Sequence, residues 1–400
     1  MTKQRIGILT YHRSVNYGAV MQSAALAGEL QRRFPDAQVE IIDYCSARMS
    51  RYYKLVTLYR GRDGILKLGD RVAMYRAFQR EMKRLPLTGT YLATDRCETF
   101  WQWLGDEYDI LVTGSDAVWN YRKRGLPNPY FLAGNVKASR FSYAASCNGL
   151  GAASFDAIPD AQRDYLNEAF SRFSYIGTRD LQTERMVESV CPSAQVFHNC
   201  DPSLLLQNLR AADTQALQRK LQTRYGVDLK RPLIGLMLSN QNGDLKRELA
   251  GRLRQRYGDR FQTVSVYAYN KYADVPYIAD LTPTEWSTIF SLFSLTISKY
   301  FHGTAFSLLH ETPVIAVGAE SAIEGLPNKI EDMLGRMRLM DLYFPARTAA
   351  DIDWPALMAK IDSLLAQPPT ERMRVGVQLE RQNAESFFDA VACCLRERKG

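Results

Sequence analysis

A proton donor beside an anion cradle is written into residues 295–310. There the apolar run Leu295-Thr296-Ile297-Ser298 leads through Lys299-Tyr300-Phe301 to His302-Gly303-Thr304, and the residues that follow, up to His310, are again mostly apolar. A strand that turns directly into a helix puts His302 at the strand's carboxyl end, next to N–H groups with no partner inside the helix. In open α/β sheets ligands bind at that edge, and a helix N-terminus favours phosphate or carboxylate. Histidine exchanges protons near neutral pH, so the combination suits acid–base chemistry on an anionic molecule. The same spacing fits a histidine that only caps a turn and packs against the apolar segment at 313–317, and the residues alone leave both readings open.

The elements that must position such a group alternate regularly. Short apolar strands are predicted at 5–10, 39–43, 110–113, 140–145, 175–178 and 195–198, with helical stretches between them such as 160–170. The opening unit is a strand, a polar loop ending at Gly18 and an apolar helix, the first step of a doubly wound fold. Residues 205–231 are polar, charged and helical in character, and read as a connection between domains. A second set of strands follows at 232–238, 262–268, 295–298 and 313–317, alternating with helices at 244–257 and 284–293. The pattern predicts an α/β protein with two Rossmann-like parallel-sheet domains facing a cleft, residues 1–205 and 206–370. A last helix, within 371–400, is long enough to cross back to the first domain.

Composition sets limits on partners. Four hundred residues, 46% of them hydrophobic, exceed what one core usually holds. After residue 5 only residues 6–10 are apolar before polar residues intervene, too few for a signal-peptide core, and no uninterrupted apolar run reaches membrane-spanning length, so a cytoplasmic location is expected. The seven cysteines are scattered and contain no Cys-x-x-Cys pair, which predicts buried free thiols. No metal site is expected, because neither His-x-x-x-His nor a Cys/His cluster occurs. The net charge of +8 suits an anionic substrate, an anionic membrane face or nucleic acid. Residues 48–84 concentrate it, with eleven basic residues against three acidic ones, interleaved with aromatic and aliphatic side chains. Such an insertion can lie on the inner face of the plasma membrane or be an ordinary solvated helical segment. No nucleic-acid partner is expected, since no helix-turn-helix, zinc-binding or RNA-recognition signature accompanies the charge.

Six segments then combine. Asn16-Tyr17-Gly18-Ala19-Val20-Met21-Gln22, Gly114-Ser115-Asp116-Ala117-Val118-Trp119-Asn120, Ser142-Tyr143-Ala144-Ala145-Ser146, Thr178-Arg179-Asp180, Asp201-Pro202-Ser203-Leu204-Leu205 and Phe301-His302-Gly303-Thr304 resemble, in that order, the polysaccharide pyruvyltransferase family. The resemblance spans residue 5 to about residue 340, and its most specific parts are Gly-Ser-Asp-x-x-Trp-Asn and Phe-His-Gly-Thr. It implies a fold like that of two-domain GT-B glycosyltransferases, with the active site between the halves. It further implies transfer of a carboxyethylidene group from phosphoenolpyruvate onto two hydroxyls of a sugar in a bacterial exopolysaccharide or cell-envelope glycan. The products would be a cyclic pyruvate ketal and phosphate, with no cofactor beyond the donor substrate.

The resemblance also implies roles. Arg179 matches a donor-binding arginine, and a planar guanidinium pairs bidentately with carboxylate or phosphate. His302 would be the acid, while Gly303 and Thr304 would offer N–H and hydroxyl donors to the phosphate. Lys329 is a further donor-binding candidate. So is Lys299, because Tyr300 stands where many relatives carry Ser or Arg. Asp116 could take a proton from an acceptor hydroxyl or simply cap the next helix, and Trp119 could stack on a sugar or pack in the core. Asn16, Tyr17, Gly18, Gln22 and Ser115 complete the first domain's side of the cleft, with His12 and Arg13 in the same loop. His198 and His310 read as structural.

The acceptor is expected to be a glycan, lipid-linked if the basic insertion touches membrane. Two other readings stay open: a nucleotide-sugar-dependent GT-B glycosyltransferase, with Glu320, Glu324 or Glu331 on the ribose, and a non-catalytic glycan-binding protein of the same fold.

Overall fold

In a computed structural model, which describes residues 3–59, 68–148, 157–207, 211–239, 241–318 and 325–398, two parallel sheets carry the chain. The first contains β1 (Arg5–Leu9), β2 (Gln38–Ile41), β5 (Ile110–Thr113), β6 (Ser139–Ala145), β7 (Phe173–Thr178) and β8 (Val196–His198), in the order β2-β1-β5-β6-β7-β8. The second contains β9 (Leu233–Met237), β10 (Gln262–Ser265), β11 (Leu295–Ser298), β12 (Val314–Gly318) and β13 (Tyr343–Pro345), in the order β10-β9-β11-β12-β13. A two-residue pair, β3 (Tyr44–Cys45) and β4 (Leu92–Ala93), stands apart. Strands such as β5, β9, β11 and β12 are buried along their whole length. That is why they read as continuous apolar runs, as expected of parallel strands covered on both faces.

Strand order reverses once in each sheet, between β1 and β5 in the first and between β9 and β11 in the second. Such switch points open a crevice at the strands' carboxyl ends. The loops there carry residues 10–16 and 114–120 on one side and the Phe301–Leu309 helix on the other.

One core links the two sheets. Helix α1 (Tyr17–Arg33) lies between them, and Tyr17 stacks on Trp286 of the second domain with ring centroids 5.1 Å apart. Of the basic insertion, α2 (Ala47–Tyr59) and α3 (Leu68–Met82) fall within the described residues, and 60–67 lie outside them. Helix α3 buries Ala77, Phe78 and Met82, and Glu81 accepts a hydrogen bond from Thr284 Oγ1 at 2.7 Å. Part of the segment's apolar character therefore serves domain packing, while Arg76, Arg80, Lys83 and Arg84 face solvent.

Several elements differ from the sequence expectation. The polar stretch after residue 205 contains the helix Ala211–Tyr225, whose Leu217 and Leu221 are fully buried, so it packs as part of the second domain's core. The tail is two helices, Thr370–Gln382 and Glu385–Glu397, separated at Asn383 and Ala384. On the first, Glu380 accepts from Arg336 Nε at 2.7 Å, and His198 of β8 approaches the same carboxylate at 3.4 Å. The second inserts Phe387 against Tyr143 and Tyr175 of the first domain. None of the seven cysteines is in a disulfide, but only four are buried; Cys97 and Cys394 are half-buried and Cys393 is exposed. No helix among the described residues is long and apolar enough to cross a membrane.

Candidate active site

Loops from both switch points meet around one buried carboxylate. Asp201 follows β8 and caps the short turn Pro202–Leu205, accepting from the backbone N–H and hydroxyl of Ser203 at 3.0 and 2.6 Å. Its other oxygen accepts from Gln22 of α1 and from Arg179 Nη1 at 3.1 Å, and His302 Nε2 stands 3.9 Å away. Arg179 comes from the end of β7, only 2% exposed, and its Nη2 lies 3.6 Å from Asp116 Oδ1. Asp116 sits in the loop after β5 with a positive φ of 70°, a conformation uncommon outside glycine.

Arg179 is held for a purpose beyond these pairs. Its Nε and Nη2, the two donors of the side-on edge of the guanidinium, are buried and have no hydrogen-bond partner among the described residues. Elsewhere in this chain that same edge grips carboxylates bidentately, as Arg13 does with Asp43 and Arg32 with Glu29. Leaving such donors buried without a hydrogen bond costs about 1–3 kcal/mol apiece, offset at Nη2 by the nearby Asp116 charge, so the arrangement suits a bound carboxylate or phosphate. His302 Nε2, Ser115 Oγ and Gln22 Oε1 are likewise buried without partners. Five such atoms thus meet in this cluster, while others are scattered over both domains.

The electrostatics follow from this packing. Burial pushes the His302 pKa down to about 4, against the pull of Asp201 and Asp116 and with help from Arg179 and Lys329. His302 is therefore a neutral imidazole near pH 7. Burial would raise Asp116, but Arg179, His302 and Lys329 together hold its carboxyl below the ordinary range. Lys329 is lowered by burial first and by Arg179 second. Its ammonium stands 5.9 Å from the centre of the Phe301 ring, whose other neighbour is Arg179 at 5.0 Å. The Lys329–Arg336 helix is docked there by Asp332, which accepts from the Leu181 N–H at 3.0 Å, just after Arg179.

Glycines permit the close approach. A Cβ on Gly18 would enter the His302 ring, so the absence of a side chain at the start of α1 is what lets the two domains' key elements touch. Gly303 backs onto Met237 and Ser298 in the same way. Tyr300 gives no side-chain cap to the His302 helix, and the first-turn N–H groups of Phe301, His302 and Gly303 have no acceptor within it.

The structure brings Asp116, Arg179, His302, Lys329, Gln22, Ser115, Gly18 and Gly303 together and sends other candidates elsewhere. Thr304 directs both its N–H and its hydroxyl to the Tyr300 carbonyl, so it offers no free donor to a phosphate. Lys299 reaches away, to the carbonyls of Ala346 and Arg347. Trp119 is fully buried, donates Nε1–H to the Tyr130 carbonyl and packs on Phe131 and Phe170, which rules out stacking on a sugar. Tyr17 is a domain-packing residue, and Asn16 caps α1 by accepting from the N–H groups of Gly18 and Ala19. His12 and Arg13 both bind Asp43, and these hydrogen bonds hold its carboxyl below the ordinary range despite burial. They line a separate recess on the first domain. His310 is half-buried and donates to the Ser287 carbonyl. Glu331 closes a capping box with Asn328, while Glu320 and Glu324 lie outside the described residues. Asp201, the hub, was visible only as part of a motif; a lone Asp-Pro-Ser reads as a turn cap.

Comparison with known proteins agrees with this architecture. A family model described as polysaccharide pyruvyl transferase matches residues 16–321. No curated protein matches the chain. Among solved structures, a putative UDP-N-acetylglucosamine 2-epimerase from Listeria monocytogenes superposes with a TM-score of 0.52 at 9% identity, covering 99% of this chain and 98% of that one. The wall teichoic acid polymerase TagF gives 0.51 at 12% identity, covering 99% and 89%. A UDP-GlcNAc 2-epimerase from Neisseria meningitidis gives 0.50 at 9% identity, covering 97% and 99%. At these identities the likeness is one of fold, and the fold is the GT-B type.

Proposed function

The chain belongs to the polysaccharide pyruvyl transferase family, and from that premise we propose that it moves a carboxyethylidene group from phosphoenolpyruvate onto two hydroxyls of a glycan, with no further cofactor. The observation that carries this reading is the buried side-on edge of Arg179, whose Nε and Nη2 make no hydrogen bond among the described residues although Nη2 stands 3.6 Å from Asp116, in the cluster that holds His302 and Lys329. Phosphoenolpyruvate has two anionic groups on one small molecule. Arg179 takes one in a bidentate pair, and Lys329 with the N–H groups of the His302 helix takes the other.

The chemistry then divides among the residues. A first hydroxyl adds to the carbon bearing the phosphate, and the methylene carbon gains a proton and becomes a methyl group. A second hydroxyl displaces phosphate, which leaves with the electrons of its C–O bond, and the hydroxyl's proton ends on phosphate or solvent. His302 is the acid at the methylene carbon. Since it is neutral in the free protein, it takes up its proton when the donor's negative charge arrives beside it. Asp116, kept ionised by Arg179, accepts the proton of the attacking hydroxyl.

The product is an acidic ketal on an exopolysaccharide or cell-envelope glycan. Contact between the basic 48–84 segment and the inner face of the plasma membrane would present a lipid-linked acceptor to the cleft. The test is to incubate the protein with phosphoenolpyruvate and candidate glycans and follow phosphate release together with the new ketal methyl signal by NMR. Stoichiometric appearance of both supports the reading. Phosphate release without a ketal methyl on any glycan would overturn it.

A further inference from the structure

A recess of about 150 Å³ opens on the first domain beside the reacting cluster. It is joined to that cluster through Tyr11, whose hydroxyl donates to the carbonyl of Ala117, the residue after Asp116, at 3.1 Å. Inside it, the half-buried Arg124 guanidinium lies 4.4 Å from the centre of the Tyr11 ring and hydrogen-bonds Tyr53 of α2. Tyr130 closes the wall, edge-on to Tyr11 with centroids 4.7 Å apart. Lys123 and Arg48 stand at the recess as well.

The charge in this recess is not balanced. No described carboxylate pairs with Arg124, Lys123 or Arg48. Asp95, the one acidic side chain lining the recess, directs both oxygens to the backbone N–H of Arg48 at 3.3 and 3.2 Å. Arg13, at the inner end, is already neutralised by Asp43. Three cations around aromatic walls, none of them in an ion pair among the described residues and outnumbering the single Asp95 carboxylate, form a site for an anion. A planar guanidinium fork with a neighbouring ammonium is the arrangement that holds phosphate.

We propose that this recess binds the phosphate or diphosphate end of a phosphorylated acceptor, with Arg124 as the principal contact and Arg48 and Lys123 supporting it. The sugar ring then lies along Tyr11 and Tyr53, and its hydroxyls point toward Asp116. Calling the bound molecule the acceptor rests on the pyruvyl-transfer reading; the anion site itself does not. A glycosyl phosphate in solution and a lipid-linked glycosyl diphosphate share this chemistry.

The test is calorimetric titration of inorganic pyrophosphate into wild-type protein, Arg124→Gln, the double variant Lys123→Gln with Arg48→Gln, and Arg179→Ala. Loss of tenfold or more in affinity in Arg124→Gln and in the double variant, with binding retained in Arg179→Ala, is the expected result. The double variant changes residues toward the mouth, so it decides the matter if Arg124→Gln fails to fold. Equal binding, or none, in wild type and these variants would overturn the proposal, as would loss confined to Arg179→Ala. Geranyl diphosphate binding more tightly than pyrophosphate, again through Arg124, assigns a lipid-linked source, and glucose 1-phosphate doing so assigns a soluble one. Phosphoenolpyruvate titrated into Arg124→Gln should bind as in wild type. If phosphoenolpyruvate binds neither protein while pyrophosphate still depends on Arg124, the donor reading falls and the anion site stands.

Discussion

Arg179 and His302 make opposite demands on burial, and each demand can be measured. A guanidinium keeps its charge when buried, so Arg179 can wait with an unpaired edge; Arg179→Lys keeps the charge but cannot reproduce two parallel N–H donors. We expect it to weaken phosphoenolpyruvate binding about 10–100-fold, read by calorimetry, with little change in thermal stability. His302 instead gives up its charge, with a pKa near 4. At pH 8, where the donor is already fully deprotonated, its binding should draw a proton onto His302. The heat of binding will then vary with the buffer's ionisation enthalpy in wild type and not in His302→Gln. Buffer-independent heat in wild type would remove His302 as the acid. The same pKa has a consequence for stability. Between the ordinary value of 6.5 and about 4, the unfolded chain binds a proton at His302 and at His310 that the folded chain excludes. Stability should therefore fall as pH drops through that window, by up to about 1.4 kcal/mol per pH unit for each histidine, and the slope should vanish above it. His310→Gln, outside the cluster, should flatten thermal unfolding against pH without affecting donor binding.

At the level of elements, the closeness of α1 and the His302 helix is the feature to perturb. Gly18→Ala places a methyl group in the space of the His302 ring, and we expect at least a tenfold loss of turnover with the fold kept. Gly28 lies on the same helix with nothing near its Cβ position, so Gly28→Ala should stabilise the protein by about 1 kcal/mol and leave turnover alone. Equal effects of the two substitutions would mean that helix propensity, not the His302 contact, governs Gly18. Much of this level was legible in the sequence, because fully buried parallel strands such as β5 and β11 are continuous apolar runs with polar loops at both ends. The short strands β3, β4 and β13 carry too few residues to show a pattern. His302 and Arg179 could be found because strand ends in doubly wound folds are where chemistry collects. Side-chain direction could not: Lys299 and Trp119 sit next to the same loops yet point to carbonyls and core. Asp201 gathers partners up to 179 residues distant in sequence, a relation that spacing along the chain does not express.

For the whole molecule, the two sheets share one core, and the tail ties them a second time. Phe387 is fully buried against the first domain although its helix follows one packed on the second. Phe387→Ala should cost about 3–5 kcal/mol, and denaturant unfolding should remain a single transition reported alike by probes in both domains. Two separated transitions would show that the domains are joined only by the cleft. A molecule closed in this way brings the loops of both switch points to one point, where Arg179 of the first domain and Lys329 of the second can hold one donor molecule between them. The most direct test is calorimetric titration of phosphoenolpyruvate into wild type, Arg179→Lys and His302→Gln, with and without a glycan present. The account predicts binding in wild type, strong weakening in Arg179→Lys, and binding largely kept in His302→Gln with turnover lost. Absence of phosphoenolpyruvate binding to the wild type under both conditions would contradict it.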